Sequence, residues 1–146
     1  MKDLYSKITP VAAIAPVNVL DATVPTTLEI DLQGYNSAVV IINHGAKGGG
    51  DTGTIDFTMT HADDDGTGVA GSYANVAAAD VLGVTPTSGV ILNLAAGAVA
   101  AAITKVGYVG GKRFIKIATT ESNANSTGTI CDIIVIKGDP EVAPAA

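Results

Sequence analysis

The amino-acid sequence predicts an all-β protein, an antiparallel β-sandwich or jelly roll with an extended N-terminal arm. Short segments that alternate apolar and polar side chains, or form β-branched runs, recur between turns about every 8–12 residues. The 146 residues include 17 glycines, and 47% of the chain is hydrophobic although only 4% is aromatic. No longer period repeats, which argues against a propeller or a solenoid.

Residues 1–26 are expected to form the arm. Pro10, Pro16 and Pro25 exclude a long helix, because proline lacks a backbone donor and pushes the preceding residue towards extended geometry. An apolar extended segment must lie on a surface, either its own sheet or a neighbouring protein. We expect the domain to fold without residues 2–20.

Residues 27–138 are expected to form the sandwich. Residues 28–32 and 55–60 alternate apolar and polar side chains, which is typical of strands buried on one face. Residues 38–42 form a nearly continuous β-branched run, which predicts a strand covered on both faces. Five glycines between residues 44 and 53 indicate a loop.

The middle of the chain leaves two alternatives open. Residues 73–84 fit either a short strand or an alanine-rich helical turn, and residues 90–94 predict a strand. Alanine favours a helix over residues 95–102, whereas Gly97 opposes it. We interpret residues 95–102 as a loop and a strand edge.

The last third carries the clearest strand pattern. Residues 103–109 and 113–120 are predicted strands, and the tight turn at Gly110-Gly111-Lys112 between them predicts a hairpin. Residues 129–137 predict a core strand. Residues 139–146 are expected to form a C-terminal tail.

Composition and charge exclude several function classes. A formal net charge of −6 argues against a nucleic-acid partner, whose phosphates require basic side chains. The one cysteine, Cys131, excludes a disulfide framework and a multi-cysteine zinc site. We find neither a signal peptide nor an apolar segment of membrane-spanning length, so we expect a soluble protein with no membrane partner.

Motifs that would carry chemistry are incomplete. Residues 48–53 match G-x-G-x-x-G, but a strand pattern follows where a nucleotide site needs a helix. The acidic run at residues 63–66 lacks the other ligands of a calcium loop, and residues 107–113 lack the spacing of a phosphate loop. No nucleophile, base and orienting group occur together. We therefore expect no enzyme activity, no metal site and no cofactor.

Half of the eight basic residues lie within twelve positions, at Lys105, Lys112, Arg113 and Lys116. On an acidic protein, such a cluster predicts a local cationic patch. Two interpretations remain open, a solvated face or a docking contact for an acidic partner surface.

Five segments between residues 28 and 140 form a recognisable pattern. They are DLQGYNSAVV at residues 31–40, ADVLG at 79–83, KVGYVGGKRFIKI at 105–117, STGT at 126–129 and IVIKGDP at 134–140. With these segments the chain resembles a family of small head-associated structural proteins of tailed phages. The stretch from Val90 to Ala102 is longer and less polar than the pattern of that family.

This resemblance implies a capsid decoration (cement) protein, which binds the outside of the major capsid shell and cross-links its subunits. Its location would be the virion, after synthesis in the cytoplasm of a bacterial host. The implied partners are the major capsid protein and further copies of the chain, as a dimer or trimer. We expect the arm, the basic cluster and the tail to make the contacts. The predicted contact residues are Leu4, Tyr5, Ile8, Val11, Ile14, Lys105, Lys112, Arg113 and Lys116.

Two alternatives remain within virion proteins. One is a component of the tail or neck. The other is a jelly-roll module that binds host glycans, for which Tyr35, Tyr73 and Tyr108 would have to form an aromatic platform.

Overall fold

The computed structural model describes residues 3–20, 25, 27–122 and 125–142, and within them it confirms the all-β sandwich. A short 3-10 helix, Tyr5–Lys7, precedes the first strand. The strands are β1 (Ile8–Val19), β2 (Glu29–Asp31), β3 (Tyr35–His44), β4 (Ile55–Ala62), β5 (Ala74–Asn75), β6 (Val81–Leu82), β7 (Val90–Leu94), β8 (Ala102–Tyr108), β9 (Phe114–Glu121) and β10 (Thr129–Pro140).

The strand order is that of a jelly roll. Sheet I runs β1-β10-β3-β8-β6, and sheet II runs β2-β9-β4, with β5 and β7 both paired to β4. The chain changes sheet at every connection from β1 to β10 except the one between β4 and β5. Most neighbouring strands are therefore distant in sequence.

The core fills the space between the two sheets. Val40 and Ile42 of β3 face inwards from sheet I, and Phe57 and Met59 of β4 face inwards from sheet II. All four side chains are fully buried. Strand alternation produces this arrangement, because successive side chains point to opposite faces of a sheet.

The predicted arm is largely an edge strand of sheet I. β1 pairs antiparallel with β10 from Ile8–Gly138 to Val19–Thr129. Ala13, Ile14 and Val19 lie in the core. The segment is extended, as predicted, but it lies on its own sheet because burial there removes these apolar side chains from water. The structure therefore corrects both the separation of residues 1–26 from the domain and the expectation that the domain folds without residues 2–20.

The edge position explains why proline is tolerated in β1. A strand at the edge of a sheet leaves one row of backbone groups without a ladder partner, so a missing donor on that side costs no strand pairing. The register shifts between Ala12 and Ile14 and again between Ile14 and Val17, which spans Pro16. Such irregularities also hinder unwanted pairing with another sheet edge.

At the other terminus, β10 continues through Asp139 to Pro140, so the predicted boundary at residue 138 falls inside a strand. The amide of Glu141 still donates to the carbonyl of Gly34. The rest of the predicted tail, residues 143–146, lies outside the described residues, as do residues 1–2, 21–24 and 26 of the predicted arm.

Residues 109–113 connect the two sheets and do not form the predicted hairpin. β8 pairs with β3 and β6 in sheet I, whereas β9 pairs with β2 and β4 in sheet II. The side chain of Tyr108 is 6% exposed and lies beneath Gly110, where an added Cβ would come within 2.7 Å of its ring. The glycine therefore allows a close approach at a crossing between sheets.

This contact predicts different effects at two adjacent glycines. Gly110→Ala is expected to lower the free energy of unfolding by about 1–3 kcal/mol, because the added methyl group must displace the Tyr108 ring, whose hydroxyl is bonded to His61. An added Cβ at Gly111 meets nothing within 4 Å, so Gly111→Ala is the matched control. Urea unfolding of both variants measures the difference, and equal stabilities would contradict the close contact.

Two further expectations need adjustment. Val39 and Ile41 of β3 are only half-buried, so the second face of this strand is not fully covered as predicted. In the middle of the chain, β5, β6 and β7 are short strands, and residues 73–102, all of them described, contain no helix. Residues 73–84 combine the two alternatives, because a hydrogen-bonded turn from Ala77 to Asp80 separates the two-residue strands β5 and β6. Residues 95–101 form a loop before β8.

Candidate functional site

The predicted contact residues at the N-terminus divide into two groups. Leu4 and Tyr5 are 65% and 91% exposed. Since β1 and β10 are antiparallel, the start of β1 lies at the same end of sheet I as the end of β10. There Val142 is 81% exposed. We call Leu4, Tyr5 and Val142 the terminal cluster.

The remaining N-terminal residues are less available. Ile8 is half-buried opposite Gly138. Val11 packs against the core, and Ile14 is only 2% exposed. The structure therefore corrects the prediction that Ile14 contacts a partner, because its side chain lies in the core. Val11 is partly buried, and its contact role, like that of Ile8, stays a prediction.

The basic cluster does not form the predicted cationic patch. Arg113 donates from Nε to Asp31 Oδ1 at 2.9 Å and from Nη2 to Asp31 Oδ2 at 2.7 Å. Its Nη1 atom donates to Asp64, and Lys112 pairs with Asp63. The acidic turn therefore neutralises two of the four cations, and both belong to an ion-pair network at one end of the sandwich.

Two carboxylates of this network, Asp31 and Asp64, have lowered pKa values. The guanidinium of Arg113 holds the pKa of Asp31 below its ordinary value of 3.8, through a bidentate contact. The pKa of Asp64 is lowered first by the backbone amides of Gly68 and Gly66 and then by Arg113. The turn amides and Arg113 therefore favour the ionised form of Asp64.

This pairing predicts a pH dependence of stability. A carboxylate with a depressed native pKa binds fewer protons than in the unfolded chain, so its stabilisation is present above the ordinary pKa and is lost as pH falls through the native one. Below about pH 4, the urea midpoint of the wild type should fall more steeply than that of Arg113→Gln. Lys116→Gln removes a cation without a carboxylate contact and should follow the wild type. Parallel curves for the wild type and Arg113→Gln would contradict the pairing.

Lys105 and Lys116 lie on different sheets. Lys116 of β9 places its Nζ atom 5.6 Å from the centroid of the Tyr73 ring, and the Tyr73 hydroxyl donates to Glu29 at 2.5 Å. Burial, followed by the bond to Glu29, raises the pKa of Tyr73. Lys105 is an exposed residue of β8, and the described residues include no ion-pair partner for it. The sequence placed these cations together, but the crossing after β8 separates them.

The three tyrosines do not form a common aromatic platform. Tyr35 and Tyr108 line a cleft of about 440 Å³, but the Nζ atom of Lys137 lies 4.3 Å from the centroid of the Tyr35 ring. Tyr108 is buried, and its hydroxyl contacts Nδ1 of His61 at 3.1 Å. Tyr73 lies against sheet II. These contacts remove the geometric basis for glycan stacking on the three rings.

In the glycine-rich loop, Lys47 and Asp51 form buried hydrogen bonds that were not predicted from the sequence. Lys47 is 2% exposed, and its Nζ atom donates to the carbonyls of Asp51, Ala95 and Gly97 at 2.6, 3.2 and 3.2 Å. The carboxylate of Asp51, which is 1% exposed, accepts the amides of Thr127 and Gly128 at 3.0 and 3.1 Å. The signal available in the sequence was one lysine and one aspartate within a run of glycines.

The cysteine is buried, and the possible metal ligands of the described residues do not lie close together. Cys131 is 1% exposed, and burial, with a smaller effect from Asp132, raises its pKa to about 11, so the thiol is protonated at neutral pH. Within the described ranges, no three His, Cys, Asp or Glu side chains lie close enough to hold a metal ion. No helix in the described part of the chain has the length and apolar character needed to cross a membrane.

Comparison with known proteins assigns no family to this chain. A scan of protein-family models finds no match, and a search of curated proteins finds no similar sequence.

Proposed function

We propose that this protein is a virion structural protein, a decoration protein that binds the outside of a capsid and stabilises the shell by cross-linking its subunits. The observation that carries the proposal is the terminal cluster. Leu4, Tyr5 and Val142 present large apolar side chains at one end of the jelly roll. Large exposed apolar side chains that share one end of a domain are candidates for a protein contact site.

The architecture supports attachment through that end. The two strands that lead to the terminal cluster, β1 and β10, pair over most of their length, so the cluster stands on a long ladder of backbone hydrogen bonds. A rigid support reduces the entropy lost on binding. Each contact can be weak, because simultaneous attachment at several points raises the total affinity.

The resemblance between residues 28 and 140 and head-associated phage proteins supports the same proposal. Jelly rolls occur in viral capsid proteins and in lectins, so the fold by itself does not choose between them. Tyr35 contacts Lys137, Tyr73 contacts Lys116 and Tyr108 is buried. These contacts favour the structural role over glycan binding.

The test is binding of the purified protein to undecorated mature capsids, measured by sedimentation. We expect saturation at a fixed copy number that follows the symmetry of the shell, together with a raised capsid melting temperature. The double variant Leu4→Ala/Tyr5→Ala should lose at least about tenfold in affinity, as expected for truncated contact anchors.

Val69→Ala is the matched control for this test, since Val69 is 58% exposed in the acidic turn and outside the terminal cluster. Its binding should equal that of the wild type. Absence of binding would overturn the proposal. A few copies at a single vertex would indicate a tail or neck component instead.

A further inference from the structure

The outer face of sheet I is apolar in its centre. In register, Ile134 of β10 lies opposite Ile41 of β3, and Ile136 lies opposite Val39. We call the isoleucine face the set Val39, Ile41, Ile103, Ile130, Ile134 and Ile136.

The isoleucine face remains accessible within the described chain. Ile103 and Ile130 are 70% and 64% exposed, and Ile134 is 36% exposed. The solvent-facing side of an antiparallel sheet normally carries polar side chains, because alternation places the apolar set inwards. In β10, however, the outward Ile130, Ile134 and Ile136 are as apolar as the inward residues. An exposed apolar face of this composition is typical of a protein contact site.

Two charged side chains, Lys105 and Asp132, lie within this face. Their positions determine which kind of partner could pack on it. Lys105 of β8 is opposite Ile41, and Asp132 of β10 is opposite Asn43. They have opposite signs and stand on opposite sides of β3. The Asp132 carboxylate already accepts a bond from Asn43 at 2.8 Å, which leaves further lone pairs for a second donor.

We propose that the isoleucine face binds the same face of a second copy of this chain. A two-fold axis running along β3 places β8 of each copy over β10 of the other. The flexible stem of Lys105 then reaches Asp132 of the partner copy, and the reciprocal pair forms on the other side of the axis. Such self-complementarity is the signature of an isologous two-fold interface.

The size of the face is close to the lower limit for a dimer. Its three strands, β10, β3 and β8, at about 4.8 Å spacing and about eight residues in length give a flat area of roughly 400 Å² per copy. Two copies therefore bury roughly 800 Å² of flat area, to which side-chain relief and the flanking strands add, and a specific interface needs about 1,000 Å². Tight packing of β-branched side chains between two sheets resembles the interior of a sandwich.

The dimer also affects how the protein would attach to a capsid, and this point rests on the proposed function. An axis parallel to β3 keeps the strand direction of both copies the same, so both terminal clusters lie at one end of the dimer. The dimer would then attach to a single surface at two points and gain avidity.

The test uses the full chain without capsids, by sedimentation equilibrium across a concentration series. The wild type should dimerise. Lys105→Asp and Asp132→Lys should each weaken dimerisation by at least about tenfold, since each places like charges opposite one another. The double variant Lys105→Asp/Asp132→Lys should restore the dimer. Glu141→Lys, a charge reversal at an exposed residue outside the face, should leave it unchanged.

A second variant tests the apolar centre. Ile103→Lys changes a side chain that is 70% exposed, so the fold should persist, but dimerisation should weaken, whereas Val69→Lys should have no effect. Urea unfolding checks that each variant is folded. A monomeric wild type, or a dimer indifferent to both single charge reversals, would overturn the inference. A charge-dependent dimer that fails to bind capsids would contradict only the proposed function.

Discussion

Ile14→Ala is expected to lower the free energy of unfolding by about 2–5 kcal/mol, the range for truncation of a buried isoleucine. The side chain is 2% exposed and belongs to the core shared by the two sheets. A separate arm would show no such effect, so this variant distinguishes an integral edge strand from a detachable segment. Urea unfolding followed by circular dichroism gives the difference in stability.

Tyr5→Ala is the control within the same N-terminal segment. Tyr5 is 91% exposed, and its removal should change the free energy of unfolding by less than about 0.5 kcal/mol. If Ile14→Ala were as stable as Tyr5→Ala, β1 would not be part of the folded core in solution. Deletion of residues 2–20 should then have little effect too, contrary to what the structure implies.

Asp51→Ala is expected to destabilise the fold by about 2–3 kcal/mol, because it leaves the buried amide of Gly128 and the part-buried amide of Thr127 without this acceptor. The same carboxylate holds the segment before β10 against the glycine-rich loop across 77 positions of sequence. Loss of these bonds should therefore increase the mobility of both the glycine-rich loop and the residues that precede β10. Urea unfolding and amide hydrogen exchange at Thr127 and Gly128 measure both effects.

Asp65→Ala is the control for a turn aspartate at the surface. Its side chain accepts bonds from Thr67 in the exposed acidic turn, so the cost should be below about 1 kcal/mol. Asp51→Asn keeps one acceptor oxygen and should lie between the two alanine variants. Equal stability of Asp51→Ala and Asp65→Ala would show that the buried carboxylate does not hold the loop.

The local sequence pattern was sufficient to predict where strands occur, but it was not sufficient to predict which strands pair with each other. Alternation over residues 55–60 predicted β4 and its buried face, since side-chain direction along a strand depends only on residue spacing. The hairpin at Gly110 was wrong because a glycine turn is equally compatible with a crossing between sheets. The choice depends on the pairing of β8 with β3 and of β9 with β4, which are distant in sequence.

At the candidate site, too, the sequence indicated local features but not the contacts between distant residues. Exposure of Leu4 and Tyr5 was consistent with the predicted contact role, and this role stays a prediction. The cationic patch was wrong because Arg113 contacts Asp31, 82 positions away, through a side-chain pair that no local spacing reveals. Lys47 and Asp51 were missed for a similar reason, since glycine-rich composition indicates a loop without indicating which polar atoms it buries.

The sequence by itself determined the all-β class, the extended geometry of the N-terminal segment and the two-residue period of its strands, because these follow from local sterics and side-chain spacing. Only the tertiary structure decided that β1 belongs to sheet I, that the acidic turn neutralises Arg113, and that one sheet face leaves isoleucines accessible. Each of these results depends on which distant strands become neighbours. That pairing is set by burial of the whole core, which no single segment encodes.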